Sequence, residues 1–234
     1  MQNIRIVLDQ TSHSGNIGAV ARAMKNMDLY HLYLVNPKDY PSEVAKARSS
    51  GADDILNNAQ IFSSLKDAVA DCQYVIGASA RARELSLPTI NPREFATETL
   101  ALMNINIACI FGNERIGLEN YQLALCNKQL IIPTQEKFSS LNLAMAVQIV
   151  CYELYTAHQS GQKHSRTAMG DSATSGEKEN LIEFIEELAN KVKFSNPDQP
   201  KKLSVRIRQI VSKSNFTSSE VSLMRGFLKN LKNE

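Results

Sequence analysis

Residues 105–112 read INIACIFG, a run that is almost continuously apolar instead of alternating. A strand with one wet face alternates polar and apolar residues, whereas a strand covered on both faces does not. The run therefore predicts a strand inside a sheet that carries helices on both sides. Four further runs read the same way: IRIVL at 4–8, HLYLV at 31–35, YVIGAS at 74–79 and QLIIP at 129–133. Helical patterns fall between them near 17–28, 42–50, 64–71, 92–102 and 119–126, and a long helix over about 140–158 closes the series. Strand then helix, repeated, predicts an α/β fold: a parallel sheet flanked by helices.

The chain has 234 residues, 43% of them hydrophobic and 21% charged, enough for a core without disulfide staples and far from disordered or coiled-coil compositions. Cys72, Cys109, Cys126 and Cys151 are far apart and sit among apolar neighbours, which predicts buried free thiols in a reducing compartment. The N-terminus enters a strand-like run at once, with no basic segment and long apolar stretch of a signal peptide. The most apolar window, 141–157, is too short for a membrane span and includes Asn142, Gln148 and Glu153. A soluble, cytoplasmic protein is expected.

Composition shifts after the long helix. Residues 159–176, QSGQKHSRTAMGDSATSG, are rich in Ser, Gly, Thr and Ala and have no apolar period. The expected organisation is a sheet domain over 1–160, a flexible linker over 161–176 and a helical extension over 177–234. Three amphipathic helices are legible in the extension. Leu181, Ile185, Leu188 and Val192 mark the first, and Leu203, Ile207 and Ile210 after Pro200 mark the second. The third opens with the capping box Thr217-Ser-Ser-Glu220, with Phe216 and Val221 placed for a hydrophobic staple.

The whole-chain charge of +2 argues against a nucleic-acid binder, but it averages two unlike parts. Residues 1–162 hold 13 basic and 15 acidic side chains, while residues 163–234 hold 13 and 9. Within the extension Lys201, Lys202, Arg206, Arg208 and Lys213 follow one another with few acids between them. At about 100° per residue Lys202, Arg206 and Lys213 share a helical face. A solvated surface and a phosphate-contacting surface both fit that pattern; beside the motifs below, RNA phosphate contact is the expected role of these five residues.

Familiar cofactor signatures are missing. No G-x-x-x-x-G-K-[ST] occurs, Gly15-Asn-Ile-Gly18 is not G-x-G-x-x-G, and no G-x-S-x-G nucleophile elbow is present. None of His13, His31, His158 and His164 has metal-ligand spacing, so no metal is expected. Three segments stand out instead, each following a strand. The first, Thr11-Ser-His-Ser-Gly-Asn-Ile-Gly-Ala-Val-Ala-Arg22, is a polar loop feeding a helix, with Asn16 free to cap that helix and Arg22 free to be a surface charge. The second, Phe111-Gly-Asn-Glu-Arg-Ile-Gly-Leu118, brackets Glu114 and Arg115 with glycines. In the third, Ile132-Pro133 precedes Phe138-Ser-Ser-Leu-Asn-Leu-Ala144, where hydroxyls and an amide enter an apolar helix and a double N-cap is the plain explanation.

Together and in this order, N-x-G-x-x-x-R, F-G-x-E-x-x-G-L and I-P…S-L-N resemble the signature motifs of the SPOUT-class RNA 2′-O-ribose methyltransferases of the TrmH-like branch. QNIRIVL, TSHSGNIGAVARAMKNM, GASARAR at 77–83 and SSLNLAMAVQ narrow the resemblance to bacterial members that methylate the ribose of nucleotide 32, cytidine or uridine, in tRNA. The resemblance covers residues 1–158 closely and the extension mainly in length, helicity and position.

It implies a deep trefoil knot in the C-terminal part of the sheet domain, which no local pattern could show and which general topology disfavours. It also implies a homodimer, in which the first motif of one subunit approaches the cofactor of the other, and S-adenosylmethionine as that cofactor. The matching positions for the cofactor are Ala78, Ser79, Ala80, Gly112, Ile132, Ser139, Ser140, Leu141 and Asn142. Arg22, Asn16, Glu114 and Ser140 match the catalytic positions. A guanidinium with a pKa above about 12 is a poor base, so electrostatic stabilisation is the easier role for Arg22. Asn16 is expected to hold the RNA backbone or Arg22, and Glu114 to orient the second motif or Arg22. A related enzyme acting on ribosomal RNA or another tRNA nucleotide, and a non-catalytic RNA-binding protein of the same fold, remain as alternatives.

Overall fold

A computed structural model of the chain describes residues 1–79, 87–102, 104–160, 171–192, 194 and 200–232, without the side chains of 200–202 and 231–232. Ala80, most of the GASARAR stretch and the linker positions 161–170 lie outside the described residues, as do the side chains of Lys201 and Lys202.

The described strands are β1 (Ile4–Asp9), β2 (His31–Val35), β3 (Gln60–Phe62), β4 (Tyr74–Ala78), β5 (Thr89–Ile90), β6 (Ile107–Phe111) and β7 (Lys128–Leu130). They form one sheet in the order β3-β2-β1-β6-β4-β7-β5, every pairing parallel. All of β1 and β6 is buried, whereas β3 is largely exposed. The unbroken apolar runs thus mark the centre of a two-sided sheet. Arg5 and the terminal Asp9 are the exceptions in β1. The Arg5 guanidinium reaches both Asp71 carboxylate oxygens at 2.6 and 2.8 Å and lies 4.6 Å from the centre of the Tyr33 ring.

One face is covered by α1 (Ser14–Asn26), α5 (Pro92–Ala101) and α7 (Leu143–Gln159), which share a core with Ile6, Leu8, Leu34, Ile76 and Cys109. Between β2 and β3 lie α2 (Glu43–Ser49) and α3 (Asp53–Asn57). The other face carries α4 (Leu65–Ala68) and α6 (Asn120–Leu123) around Val7, Val75 and Ile110. The closing helix begins at Leu143 instead of near 140, because the Asn142 side chain caps it by accepting from Ala144 N at 2.9 Å and Met145 N at 3.4 Å. The four cysteines are free and buried as expected, and burial pushes the Cys151 thiol up to about 12.

The extension folds as α8 (Ser175–Lys191), α9 (Pro200–Lys213) and α10 (Ser218–Lys232). The stretch expected to be flexible narrows on its C-terminal side. Ala173 is fully buried, Ser172 bridges to Thr217, and Thr174 caps α8 in a capping box with Glu177. The capping box at Thr217 forms as the sequence predicts, with Thr217 N donating to Glu220 at 2.8 Å and Glu220 N to Thr217 Oγ1 at 3.2 Å. Phe216 and Val221 join Ala173 and Leu181 in a small core. The extension is seated on the sheet domain: Ser175 N and Gly176 N donate to the carbonyls of Cys72 and Ala70, and Ser212 Oγ donates to that of Ala124.

Candidate active site

In open parallel sheets ligands gather beyond the C-terminal ends of the strands. Here the ends of β4, β6 and β7 meet around a cavity of about 250 Å³. Of the positions expected to hold a cofactor, Ala78, Ser79, Gly112, Ile132, Ser139, Ser140 and Leu141 line it. Asn142 does not line it, being the cap of α7. Gly112 has to be glycine, since a methyl built there would sit 2.4 Å from the carbonyl of Gly117. Gly117 itself takes φ +68°, a conformation that costs other residues about 1–2 kcal/mol.

Glu114 is the junction of the site. Its Oε2 accepts from Ser12 N at 2.9 Å and Ser12 Oγ at 2.7 Å, and its Oε1 accepts from Asn16 Nδ2 at 2.9 Å and His13 N at 3.3 Å. Asn142 Nδ2 then donates to Asn16 Oδ1 at 3.3 Å. Burial pushes the Glu114 carboxyl up, but the hydrogen bonds from Asn16 and Ser12 outweigh it and hold its pKa below the usual carboxylate range. The three sequence motifs therefore meet in one chain of contacts, Glu114 to Asn16 to Asn142, at the rim of the cavity.

Two expectations narrow at this point. Asn16 does not cap α1, whose N-cap is His13; its amide is used on Glu114 and Asn142. Of the two roles expected of Glu114, its contacts within the chain go to the first motif and, among the described residues, none goes to Arg22. Arg22 is exposed on α1, does not line the cavity and, among the described residues, has no ion pair or side-chain hydrogen bond. Ser140 lies on the cavity wall and outside the Glu114 network.

Several contributors escaped the sequence reading as individuals although they lie inside the quoted motifs. Ser12 and His13 are two of them. Asn113 is another: its Nδ2 donates to Gln10 O at 2.7 Å and its Oδ1 accepts from Arg115 N at 3.0 Å, tying the second motif to the end of β1. Arg115 and Ile116 line the cavity. A hydrogen-bonding residue between glycines was the available signal; what each would touch was not legible.

The sequence profile of the SpoU rRNA methylase family matches residues 3–152. The chain belongs to that family. A second profile, that of the C-terminal domain of the tRNA methyltransferase TrmJ, matches residues 177–234. The tRNA (cytidine/uridine-2′-O-)-methyltransferase TrmJ of Citrobacter koseri is 39% identical over 238 residues, covering 100% of this chain and 98% of that protein. Its counterpart in Photorhabdus laumondii is 39% identical over 234 residues, covering 99% and 97%. Among solved structures, TrmJ from Z. mobilis ZM4 superposes with a TM-score of 0.88 at 32% identity, over 97% of this chain and 98% of that one.

The basic residues of the extension divide in two. Arg206 and Lys213 are exposed and, among the described residues, make no ion pair. Arg208 is different. It donates to Glu179 at 2.5 Å and lies 3.8 Å from Glu186, so this SpoU-family chain spends it on holding α9 to α8. A stripe read from sequence as phosphate-contacting thus contains one internal strut.

Proposed function

We propose that this chain transfers the methyl group of S-adenosylmethionine to the ribose 2′-hydroxyl of nucleotide 32, cytidine or uridine, in the tRNA anticodon loop. The observation that carries the reading is the convergence of Asn16, Glu114 and Asn142 beside a strand-end cavity. The relatives that align over nearly the whole chain, and whose names state tRNA 2′-O-methylation, support it.

The cavity fits the cofactor. Leu130, Ile132, Leu141 and Leu143 offer apolar walls to an adenine ring, and Ser79, Ser139 and Ser140 offer polar groups to a ribose and an amino acid. S-adenosylmethionine, when bound, supplies a methyl group activated by a sulfonium. The protein's task is then alignment and charge stabilisation. Gly112 and Gly117 let the backbone of the second motif close around the cavity. Glu114, ionised and saturated with donors, ties the first motif to the second, and Asn142 ties the third motif to the first through Asn16. Arg22 binds the phosphate next to the target ribose and stabilises the alkoxide as the hydroxyl proton leaves to phosphate or water.

In this reading residues 1–160 form a knotted catalytic domain, and two copies associate so that Arg22 of one subunit serves the cavity of the other. That arrangement accounts for a reactive arginine lying away from its own cavity. Residues 177–234 contact tRNA through Arg206, Lys213 and the flanking Lys201 and Lys202. Among the described residues no helix is long and apolar enough to cross a membrane, and the enzyme works in the cytoplasm, where its substrate is.

Mass-spectrometric mapping of ribose methylation on total tRNA, with wild type and Arg22→Ala, tests the reading. Arg22→Ala should keep cofactor affinity within a few fold and lose transfer by about a thousandfold. Methylation at another nucleotide, or near-normal turnover in the variant, overturns it.

A further inference from the structure

One face of α1 is lined by Gly15, Gly18, Arg22 and Lys25, which at 3.6 residues per turn fall within an arc of about 80°. The small residues exist for close approach. A methyl built on Gly18 would lie 2.0 Å from the Ala45 carbonyl oxygen, so α2 presses directly on the α1 backbone. The contact brings a second arginine onto the strip. Arg48, in the last turn of α2, passes with its Cβ 3.0 Å from that methyl position on Gly18, and its Cγ 3.7 Å from the equivalent position on Gly15. The first atoms of the Arg48 stem therefore lie against the glycine floor in the first turns of α1. Helical side chains tilt toward the N-terminus of their helix, so the Arg22 stem starts one turn further on and leans over the same floor.

The cations along this seam are not treated alike. Lys25 is neutralised: its Nζ donates to Asp54 at 2.8 Å and to Gly51 O at 2.9 Å. Arg22 and Arg48 are both exposed, and among the described residues neither has an ion pair or a side-chain hydrogen bond. Two exposed arginines rising from one glycine-lined face, neither with an ion pair among the described residues, can together take a bidentate anion such as a phosphodiester. Glu114 sits beyond Asn16, which is offset by about 120° around α1 from Arg22, and its oxygens are already filled by neutral donors.

The geometry points to Arg48 as a second phosphate-holding residue: with Arg22 it grips the RNA backbone beside the target ribose, and so positions the 2′-hydroxyl without touching the reacting atoms. This rests on the RNA-methylating reading above. Arg22 has charge development to stabilise, whereas Arg48 contributes binding and register.

The test is steady-state methylation of tRNA, with tRNA affinity measured between about 50 and 200 mM salt, for wild type, Arg48→Ala, Arg48→Gln and Arg48→Lys. Arg48→Ala and Arg48→Gln should raise KM for tRNA about tenfold and lower the slope of log affinity against log salt by about one. In both, kcat should stay within about twofold and cofactor affinity should not change; Arg48→Lys should recover most of the KM. Glutamine keeps the stem packed on Gly15 without the charge. A normal KM and salt slope in Arg48→Gln, whatever alanine does, would reduce Arg48 to packing and overturn the inference while tRNA methylation stands. Wild type that transfers no methyl to tRNA would overturn the enzymatic reading, and this inference with it.

Discussion

Two carboxylates, Glu114 at the cavity and Glu179 in the extension, each pull separate segments together, and they do it by opposite means. Glu114 is held by neutral donors, from Ser12, His13 and Asn16, and among the described residues no cation pairs with it. Glu179 is held by charge, with Arg208 at 2.5 Å and Lys66 of the sheet domain at 3.8 Å. Neutral donors fix direction and leave the nearby arginines free for a substrate. Ion pairs consume cations and tolerate looser geometry. The first solution suits a site that must present unspent guanidiniums to a polyanion, and the second suits a joint between a small helical module and its support.

The comparison can be broken most severely at Glu114. Glu114→Gln keeps the shape but turns an amide N–H₂ toward groups that are themselves donors. We expect methyl transfer to fall about a hundredfold or more, as misplacement by about an ångström commonly does, with the extension unaffected. Single-turnover transfer and hydrogen exchange over α8–α10 would check both halves; wild-type transfer rates would show that the junction is ornamental.

Arg208→Ala should have the next largest effect and the opposite distribution. It leaves Glu179, whose side chain is 7% exposed, without its main partner. That change should cost the extension about 3 kcal/mol, seen as earlier exchange or proteolysis of α8 and α9, while cofactor affinity stays within about twofold. If Arg208→Ala weakened tRNA binding without loosening those helices, the residue would be a phosphate contact after all.

The smallest expected effect is that of pH. The pKa of Glu114 is lowered in the folded state, so its contribution is fully present above the ordinary carboxylate range and is lost only as pH falls through the lowered value. Cofactor affinity should therefore stay flat from about pH 8 down to about pH 5. A drop between about 6 and 5 would mean that the folded protein does not hold this carboxyl ionised. The Lys66–Glu183 pair, 2.5 Å apart, has two limits. Its carboxylate is lowered by the hydrogen bond from Lys66 and is lost in acid, and its lysine is raised by the same bond and is lost as pH rises through that raised value. Only the extension's joint should loosen at the alkaline end.

How far the sequence could be read follows from how local each signal is. The buried strands β1, β2, β4 and β6 were legible because continuous apolar runs are long enough to count. The three-residue β3 and two-residue β5 were not, since they lie at the sheet edges and show no period. The capping box at Thr217 is contained within four residues and formed as read. Residues 172–176 read as linker because Ser, Ala, Thr and Gly look the same in a flexible linker as in a bridge and a cap. At the site, the motifs singled out Asn16, Glu114 and Asn142, and the structure adds the contacts among them, which no motif could show.

By itself the sequence determined the alternation of strands and helices, the two-sided burial of the sheet and the placing of polar motifs just after strands, because periodicity and capping act over a few residues. Tertiary structure alone decided that Glu114 meets Asn16 across 98 positions, that Asn142 meets Asn16 across 126, that Arg208 turns inward and that Arg48 lies on the α1 glycine floor with no ion pair among the described residues. The reason is physical: a residue's type sets what it can bond, while whether a charge is spent or free depends on distances between segments that sequence order does not contain.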